Sequence, residues 1–381
     1  MRILLISFLG LVILLWLTTL GYLAVLLLLS RNRRRSNLTV EDWPEIAVVI
    51  PTYNEEDHLS HKLADLERTN YPDNLLHILV IDGGSKDRTT AIAQQKTSHS
   101  EPIRVVRLAG AKNKIEQVIH CLKLLHYPFI VFTDADTCLD PACIKELIQH
   151  LLSDTKTAIV GAIVKPQSRL LEEQIHWALL NSLWWLEGEA LSSASFSGVC
   201  YAIRTGTVRW LDKDIKAEDI HLSLTACAGG HRVRLARSAI AHELRVPQKF
   251  EDFLRFRRRR GSRYVTALRH FACPGLLPFS WRIVRWFRLW QFVVVPWLAI
   301  ACIGLGLILS ATSHWRYPAI ISSLFIVPAL IAVSALKKKI SKTIGWSRLI
   351  VASARYLALF LISLVTLNRG RFPVIPSGGH P

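Results

Sequence analysis

The sequence predicts an α/β domain with a mostly parallel sheet, joined to about four transmembrane helices. Short β-rich apolar runs alternate with helical or loop-like segments in the middle of the chain, and much longer apolar runs stand near both ends. The 381 residues are 51% hydrophobic, with 47 Lys+Arg against 29 Asp+Glu and a positive mean hydropathy. This composition fits neither a soluble enzyme nor a disordered basic protein and favours a membrane protein.

Four apolar runs are long enough to cross a bilayer, which takes roughly 20 helical residues. They cover residues 3–29, 289–309, 319–336 and 349–367. The first run exceeds the roughly 7 to 15 apolar residues of a signal peptide and lacks a small-residue cleavage site, so we expect a retained anchor. Basic clusters at 31–35 and 337–342 should stay cytoplasmic. The polar domain then lies inside and both termini lie outside.

This pattern predicts five regions in an integral protein of a bacterial inner (plasma) membrane. They are an anchor (1–36), a cytoplasmic polar domain (37–272), an interfacial amphipathic segment (273–290), three transmembrane helices (291–370) and a short tail (371–381). In the interfacial segment, Trp281, Trp286 and Trp290 alternate with arginines, as in membrane-interface anchors. The seven cysteines form no CxxC pair, which suggests reduced thiols; the closest pair, Cys138 and Cys143, is a weak metal candidate.

Five apolar runs in the polar domain predict strands buried on both faces of the sheet, at residues 46–50, 78–81, 103–108, 129–133 and 158–164. The run at 103–108 fits least well, because Arg104 and Arg107 interrupt it. Ligands of open parallel sheets bind beyond the carboxyl ends of the strands. The residues that follow each run are therefore the first place to look for chemistry.

Three of these runs end in acidic, polar segments. The first is followed by Pro51-Thr52-Tyr53-Asn54-Glu55-Glu56, the second by residues 82–89, which begin with Asp82, and the fourth by Asp134-Ala135-Asp136. Two carboxylates two positions apart can share a divalent cation that keeps open positions for phosphate oxygens. A DxD segment alone is more often a solvated turn. Three acidic ends in one sheet favour a binding site.

Five segments in order resemble the motifs of the membrane-bound family-2 glycosyltransferases. They are PTYNEE, VIDGGSKDRT, FTDAD, FSGVCYAIR (196–204) and AEDIHLSL (217–224), and the resemblance runs from about residue 46 to residue 261. It implies a GT-A nucleotide-diphospho-sugar transferase fold in the region 37–272 and an inverting sugar transfer. Relatives in this family include cellulose and hyaluronan synthases and ceramide glucosyltransferase.

The resemblance also implies roles for individual residues. Tyr53, Glu55 and Asp82, with Pro51 beside them, would hold the base and ribose of the donor. Asp134 and Asp136 would bind the ribose, the diphosphate and a Mg or Mn ion, Asp219 would be the catalytic base, and Glu218 would face the acceptor. The chemistry asks for such a base independently, because a hydroxyl is a poor nucleophile until a carboxylate accepts its proton. The alternative, non-catalytic interpretation of Glu218-Asp219 is that these two acids begin a helix.

Two segments depart from the family pattern. Lys114 falls near a GK-containing motif that is poorly matched here, and donor binding and a solvated helix start are both open. Residues 254–264 hold six arginines, of which Arg255 and Arg257, with Arg258 adjacent, best match the arginines that hold a donor diphosphate. Processive family members carry QxxRW, but the Gln and Trp positions are Leu254 and Arg258 here. This favours adding one or a few sugars over making a polymer.

Residues 170–191 carry Trp177, Trp184 and Trp185 on what could be one apolar helix face. Trp184 and Trp185 would then line the acceptor site at the membrane interface. The glutamates of the same segment argue against contact with anionic lipid, so the competing interpretation is burial against the polar domain. Glu243 and Pro247 are expected only to support their loop.

The predicted function is transfer of a sugar from a nucleotide-diphospho-sugar, UDP-linked by expectation, to a lipid or lipid-linked acceptor at the cytoplasmic face. A second hypothesis is a processive exopolysaccharide synthase that also translocates its product. Four spans would form a rather small channel for such a product, which counts against this hypothesis. Two hypotheses from different classes are a membrane-tethered nucleic-acid binder and an inactive scaffold. Nucleic acid is not an expected partner, because acidic strand ends would repel a phosphate backbone.

Overall fold

A computed structural model describes residues 2–31, 42–95, 97–98, 101–108, 110, 113–208, 211–213, 217–270, 279–312, 316–340 and 344–368. The strands are β1 (Ile46–Thr52), β2 (Leu76–Asp82), β3 (Thr97–Ser98), β4 (Glu101–Pro102), β5 (Arg104–Arg107), β6 (Phe129–Thr133), β7 (Thr137–Leu139), β8 (Thr157–Pro166), β9 (Cys200–Arg204) and β10 (Arg232–Glu243). The helices are α1 (Arg2–Trp16), α2 (Tyr22–Arg31), α3 (Glu56–Leu66), α4 (Thr89–Gln95), α5 (Lys114–Leu124), α6 (Cys143–Leu152), α7 (Leu171–Ala190), α8 (Glu218–Ala228), α9 (Phe250–His270), α10 (Phe279–Val293), α11 (Val295–Thr312), α12 (Arg316–Ile340) and α13 (Trp346–Asn368).

Eight of the strands form one mixed sheet in the order β5-β2-β1-β6-β9-β8-β10-β7. The pairs β5-β2, β2-β1, β1-β6 and β8-β10 are parallel, whereas β9 runs antiparallel to both of its neighbours and β7 runs antiparallel to β10. All five predicted strands are present, as β1, β2, β5, β6 and β8. The predicted α/β class with a mostly parallel sheet is confirmed.

The poor fit of the third predicted strand has a simple cause. β5 is the edge strand of the sheet, and both of its arginines, Arg104 and Arg107, are exposed. In contrast, every residue of the more central β1 is buried. Charged side chains on an edge strand also discourage pairing with another chain.

The sheet core is closed by helices whose apolar residues repeat at helical spacing. In α6, Ile144, Leu147 and Leu151 are all fully buried, and α6 packs against β8, β9 and β10. Residues three and four apart share one helix face, so this spacing turns a single side of α6 to the sheet. Other core residues come from α3, α5 and α8.

Parallel pairing brings the three acidic strand ends to one edge of the sheet. Thr52, the last residue of β1, pairs in register with Asp82, the last residue of β2. On the other side of β1, Ile46 pairs with Phe129, so β6 runs alongside and ends before Asp134. The predicted convergence of these segments is confirmed.

The N-terminal apolar run forms a helix from Arg2 to Arg31 that is long and apolar enough to span a membrane. A second candidate is a bent pair, Arg282–Val293 and Val295–Ala311, which meet at 42°. Within the described residues no other helix meets the same criteria. The third and fourth predicted spans coincide with α12 and α13, and the four-span arrangement stays a prediction.

The N-terminal helix α1 packs against α11. Phe8, Val12 and Leu15 of α1 are buried against Cys302 and Leu309 of α11. In the predicted interfacial segment, Trp286 and Trp290 of α10 are exposed, as such anchors require. Arg285 and Arg288 of the same helix are buried instead: Arg285 donates to the Leu268 carbonyl at 3.3 Å, and Arg288 forms an ion pair with Glu187.

Candidate active site

The loop after β2 folds back onto Asp82, whose side chain is fully buried. The backbone N–H groups of Gly84 and Ser85 donate to Asp82 Oδ2 at 3.1 and 3.0 Å, and the Ser85 hydroxyl donates to Oδ1. Gly84 has a φ of 94°, which glycine adopts without strain. The guanidinium of Arg107 lies 3.8 Å from the same carboxylate. Asp82 therefore orders its loop in addition to facing the edge where ligands of such sheets bind.

The loop after β1 interlocks with the β2 loop. Asn54 adopts a left-handed φ of 53°; its N–H donates to Ser85 Oγ at 2.8 Å, and its Oδ1 accepts from the Lys86 N–H at 2.9 Å. Tyr53 is 56% exposed, and its open ring could stack on a nucleotide base. Pro51 is buried in β1 opposite Ile81, so its contribution is to the strand rather than to an exposed surface.

Gln117 of α5 contacts the ends of both β1 and β2. Its Nε2 donates to the Thr52 carbonyl at 3.0 Å and lies 3.5 Å from the Ile81 carbonyl. A Cβ at Gly83 would come within 2.7 Å of the same Nε2, so the glycine permits this close approach. No sequence motif pointed to Gln117, because a lone glutamine on a helix carries no recognisable spacing.

Lys114 joins the acidic residues at the centre of the site. Its Nζ donates to Asp134 Oδ1 at 2.5 Å and to the Gly198 carbonyl at 2.7 Å, and it lies 3.5 Å from Glu218 Oε1. A Cβ on Gly198 would stand 3.0 Å from Glu218 Oε1, so only glycine leaves this approach free. The side chains of Lys114, Asp134 and Glu218 are 22%, 30% and 20% exposed. Lys114 is thus the first residue of a helix, as one interpretation expected, but its ammonium group is paired with acids of the site and is not solvated.

Burial and neighbouring charges set the protonation of this centre. Burial raises the pKa of the Asp134 carboxyl, and Lys114 offsets part of that rise. Burial alone would lower the pKa of Lys114, but the charges of Asp134 and Glu218 outweigh it and hold the pKa above its ordinary value. Lys114 is therefore a permanent cation at neutral pH.

Asp219 stands at the start of α8, next to Glu218. Burial, followed by the charge of Glu218, raises the pKa of Asp219 to about 7, although the Ile220 N–H, Arg260 and Lys114 pull in the opposite direction. A carboxylate with a pKa near neutral pH is well matched to accept a proton from a hydroxyl. This position at a helix start agrees with both interpretations of the Glu218-Asp219 pair.

Arg260, a member of the arginine cluster, lies beside Glu243 and close enough to Asp219 for its charge to act there. Its Nη2 lies 3.4 Å from Glu243 Oε1, and its charge acts on Asp219. Burial raises the pKa of Glu243 to about 7, with Arg260 and Arg257 offsetting part of the rise. Glu243, expected only to support its loop, is therefore a second buried carboxyl beside the arginine cluster.

The three arginines predicted to hold the donor diphosphate have different surroundings. Arg257 is 12% exposed and forms an ion pair with Glu173 of α7, which occupies its guanidinium. Arg255 and Arg258 are exposed on α9. Their donor-binding role stays a prediction, and it is weakest for Arg257 because its charge is already paired.

Trp184 and Trp185 point into different surroundings. Trp184 is 5% exposed and belongs to the sheet core, with its ring edge-on to Trp177 at 6.4 Å. The guanidinium of Arg237 covers the Trp185 ring at 3.3 Å from its centroid. A buried or covered ring offers no face to a sugar, so both acceptor-side roles stay predictions and burial against the domain is favoured for Trp184.

A cation links Asp136 to Glu55, which the sequence predicted to bind the nucleotide. Arg245, just after β10, donates to both oxygens of Glu55, at 3.1 and 2.6 Å, and its Nε lies 3.3 Å from Asp136 Oδ2. Sequence reasoning missed Arg245, because it lies ten residues before the arginine-rich segment that drew attention and matches no motif. No sequence signal marked it, because the strand β10 that precedes it was not predicted either.

The residues present fit a divalent cation that is shared with a substrate. Asp134 and Asp136 are 30% and 17% exposed at one strand end, and both supply oxygen ligands. Among the described residues, no group of three or more His, Cys, Asp or Glu side chains could form an all-protein metal site. Magnesium bound by one or two carboxylates characteristically takes its remaining ligands from water and substrate phosphates. Cys138 and Cys143 are free thiols.

Comparison with known proteins finds similarity to glycosyltransferases. Residues 47–213 match the family model described as Glycosyl transferase family 2. The chain is 26% identical over 251 residues to the probable glycosyltransferase YdaM of Bacillus subtilis, covering 62% of this chain and 59% of YdaM. It is 31% identical over 121 residues to the dolichol-phosphate mannosyltransferase of Pyrococcus furiosus, covering 32% of this chain and 34% of that protein. The chain thus spans less than two thirds of either relative.

The fold also has a solved counterpart. The mannosyltransferase PcManGT from Pyrobaculum calidifontis, solved in complex with GDP-Man and Mn2+, superposes with a TM-score of 0.66 and 17% sequence identity. The match covers 94% of this chain and 98% of PcManGT. At this identity the likeness shows the fold alone. Residues 47–213 therefore resemble a Glycosyl transferase family 2 domain, the chain has a GT-A α/β fold, and its relatives agree with the enzyme class that the sequence predicted.

Proposed function

We propose that the protein is an inverting, non-processive glycosyltransferase that moves a sugar from a nucleotide-diphospho-sugar to a lipid or lipid-linked acceptor at the cytoplasmic face of the membrane. One observation carries this proposal. Parallel pairing gathers the ends of β1, β2 and β6 at one edge, where Lys114 joins Asp134 to Glu218, the neighbour of Asp219. A donor-side acid and a candidate base are thereby linked through one cation.

Asp219 is the proposed base. It takes the proton of the acceptor hydroxyl while that oxygen attacks the anomeric carbon from the face opposite the diphosphate. The new carbon–oxygen bond forms as the bond to the leaving phosphate breaks, which inverts the configuration. With a pKa of about 7, Asp219 is ionised in a large fraction of molecules at neutral pH and still basic enough to hold the proton.

The donor diphosphate leaves with growing negative charge, which nearby cations must offset. Asp134 and Asp136 would hold a Mg or Mn ion, and such an ion, when bound, supplies Lewis-acid stabilisation of the leaving group. Lys114 holds Asp134 in place, and Arg260 adds positive charge beside Asp219. Tyr53 offers an exposed ring to the base of the donor, which is UDP-linked in the preferred version of this proposal.

A lipid acceptor is supported by how the membrane candidates meet the domain. The Arg2–Arg31 helix contacts α7 of the domain through Tyr22 and Leu26, and Trp286 of α10 is exposed nearby in the chain's second membrane candidate. One relative is named for a lipid phosphate acceptor, dolichol phosphate. Addition of one or a few sugars is supported by Leu254 and Arg258, which stand where processive members have Gln and Trp.

The test is to incubate membranes containing the protein with radiolabelled UDP- and GDP-sugars and Mn or Mg, then follow the label. We expect label in the lipid extract, dependent on the metal and absent from membranes that carry Asp219→Asn. Label in high-molecular-weight polymer would contradict the non-processive proposal. Label in neither fraction, with every donor and metal, would contradict the transferase proposal as a whole.

A further inference from the structure

Arg245 touches two carboxylates that the proposed function assigns to different tasks. Its terminal nitrogens hold both oxygens of Glu55, on the nucleotide side, at 3.1 and 2.6 Å. Its Nε lies 3.3 Å from Asp136 Oδ2, on the metal side. A planar guanidinium can bridge two carboxylates in this way, whereas a lysine ammonium is a single point charge.

The backbone around Arg245 is fixed by hydrogen bonds, whereas its side chain is more than half exposed. The Leu244 N–H donates to the Asp136 carbonyl at 3.1 Å, and the Gln167 N–H donates to the Glu243 carbonyl at 2.9 Å. The Arg245 side chain itself is 56% exposed. The guanidinium can therefore leave Asp136 by a rotamer change, without opening the end of β10.

Lys114, the cation paired with Asp134, has no such exposure. It is only 22% exposed and is held by Asp134, the Gly198 carbonyl and Glu218 together. Of the two metal-side carboxylates, Asp136 is therefore the one whose cation can be exchanged. A divalent ion and a guanidinium cannot share Asp136 at low cost, because like charges at contact distance repel.

We infer that Arg245 competes with the divalent cation for Asp136 and turns to the donor diphosphate when a metal–nucleotide complex binds. This inference rests on the proposed function and adds a residue and a binding order to it. Glu55 keeps the two terminal nitrogens of the guanidinium anchored, and the Nε–H group released from Asp136 becomes a donor for a phosphate oxygen. Metal alone should then bind weakly, since it must displace Arg245 without compensation.

The experiment uses the purified full chain in detergent and measures binding, not turnover. Free Mn2+ is followed by electron paramagnetic resonance without nucleotide, and GDP and UDP binding with Mn2+ by calorimetry. For Arg245→Gln we expect about three- to fivefold tighter binding of Mn2+ alone, the range of a lost partly exposed ion pair. We also expect about tenfold or more weaker binding of the nucleotide that the wild type prefers, since charged hydrogen bonds to phosphate are lost.

The matched control is Arg232→Gln, at the opposite end of the same strand. Arg232 pairs with Asp154 at 3.4 Å, away from the strand ends that form the site, so both affinities should equal those of the wild type. Arg245→Lys keeps the charge but loses the fork, and we expect it to resemble the Gln variant in nucleotide affinity.

Four results have distinct meanings. Unchanged Mn2+ affinity in Arg245→Gln would overturn the inferred competition. Wild-type nucleotide affinity in Arg245→Lys would overturn the role of the fork. If the wild-type chain bound neither GDP nor UDP in the presence of Mn2+, the proposed function itself would fail. If the wild type bound one nucleotide normally and Arg245→Gln had the same affinities in both assays, only the inference about Arg245 would fail.

Discussion

Asp219, the proposed base, stands where its surroundings tune its pKa. Burial and the adjacent Glu218 raise its pKa to about 7, while the Ile220 N–H, Arg260 and Lys114 keep it from rising further. The carboxylate accepts the Ile220 N–H at 2.8 Å, which fixes its orientation at the start of α8. Substituting this one residue should thus separate chemistry from binding.

We predict that Asp219→Asn lowers kcat by at least about a hundredfold, because the amide cannot accept a proton. Binding of the nucleotide diphosphate with Mn2+ should change less than about threefold, since the proposed donor-binding residues Tyr53, Asp82 and Asp134 remain. Radiolabel transfer gives kcat, and calorimetry gives the affinity. An Asn variant with near wild-type turnover would remove Asp219 from the mechanism.

The pH dependence of transfer should report the same carboxyl. Since the base must be ionised, kcat/KM should fall as pH drops through about 7. Glu218→Gln removes a negative charge that raises the pKa of Asp219, so the midpoint of the profile should move to lower pH. Glu67→Gln, an exposed surface change, should leave the midpoint in place. A midpoint that stays put in Glu218→Gln would show that Asp219 is not the titrating group.

Sequence reasoning found the acids of the site but not all of its cations. Asp134, Asp136 and Asp219 follow apolar runs or start a helix, and such positions can be read from spacing. Arg245 and Gln117 act through contacts with residues 190 and 65 positions away, respectively, and no local pattern encodes such distances. In the arginine cluster, spacing alone could not show that Arg257 is paired with a buried glutamate.

At the scale of elements, α7 connects the sheet to the helices around it. Its glutamates, which the sequence suggested would keep it from anionic lipid, are buried and each is paired with an arginine of a different element. The pairs are Glu172 with Arg355 of α13, Glu173 with Arg257 of α9, Glu187 with Arg288 of α10, and Glu189 with Arg234 of β10.

The Glu187–Arg288 pair is the most enclosed of these. Glu187 is fully buried and Arg288 is 3% exposed; they meet at 2.8 Å, and the Tyr22 hydroxyl donates to Glu187 at 2.6 Å. Three elements thus converge on one carboxylate: the N-terminal helix α2, α7 and α10. A charge buried at such a junction is costly to leave without its partner.

We predict that Glu187→Gln destabilises the protein by about 3–5 kcal/mol, because it leaves the Arg288 charge buried and uncompensated. Arg232→Gln, which breaks a partly exposed pair, should cost about 0–1 kcal/mol. Unfolding in detergent, followed by tryptophan fluorescence, measures both. The double variant Glu187→Gln/Arg288→Met should recover part of the loss; equal losses in the single and double variants would show that the pair is not coupled.

The same scale shows which elements a local pattern could predict. β1, β2, β6 and β8 are apolar runs and were foreseen with their bounds nearly correct. β10 was missed because Arg232, Arg234 and Arg237 break its apolar pattern. Each of these arginines is matched by a distant partner, namely Asp154, Glu189 and the Trp185 ring. Tertiary partners make a charged sequence acceptable inside the sheet, and they leave no trace in local spacing.

At the scale of the whole molecule, the domain and the apolar helices are joined through α7. One side of α7 packs on β8 and β10, and the other contacts α2, α12 and α13. The segment Lys337–Lys339, at the end of α12, therefore belongs to helices that touch the domain directly. If the apolar helices cross a membrane, the positive-inside rule and this packing both put that segment on the same side as the domain.

This arrangement predicts the labelling of two engineered cysteines. Glu67→Cys lies on the exposed surface of the sheet domain, and Lys338→Cys lies on the exposed end of α12. A membrane-impermeant maleimide should label both in inverted inner-membrane vesicles and neither in intact cells, above the background of the native cysteines, several of which are buried. Labelling of only one of the two in either preparation would place the α12 end and the domain on opposite sides, which would contradict the predicted topology. Extraction with alkaline carbonate provides the companion measurement, because a chain anchored by spanning helices should stay in the membrane pellet while a peripheral protein is released.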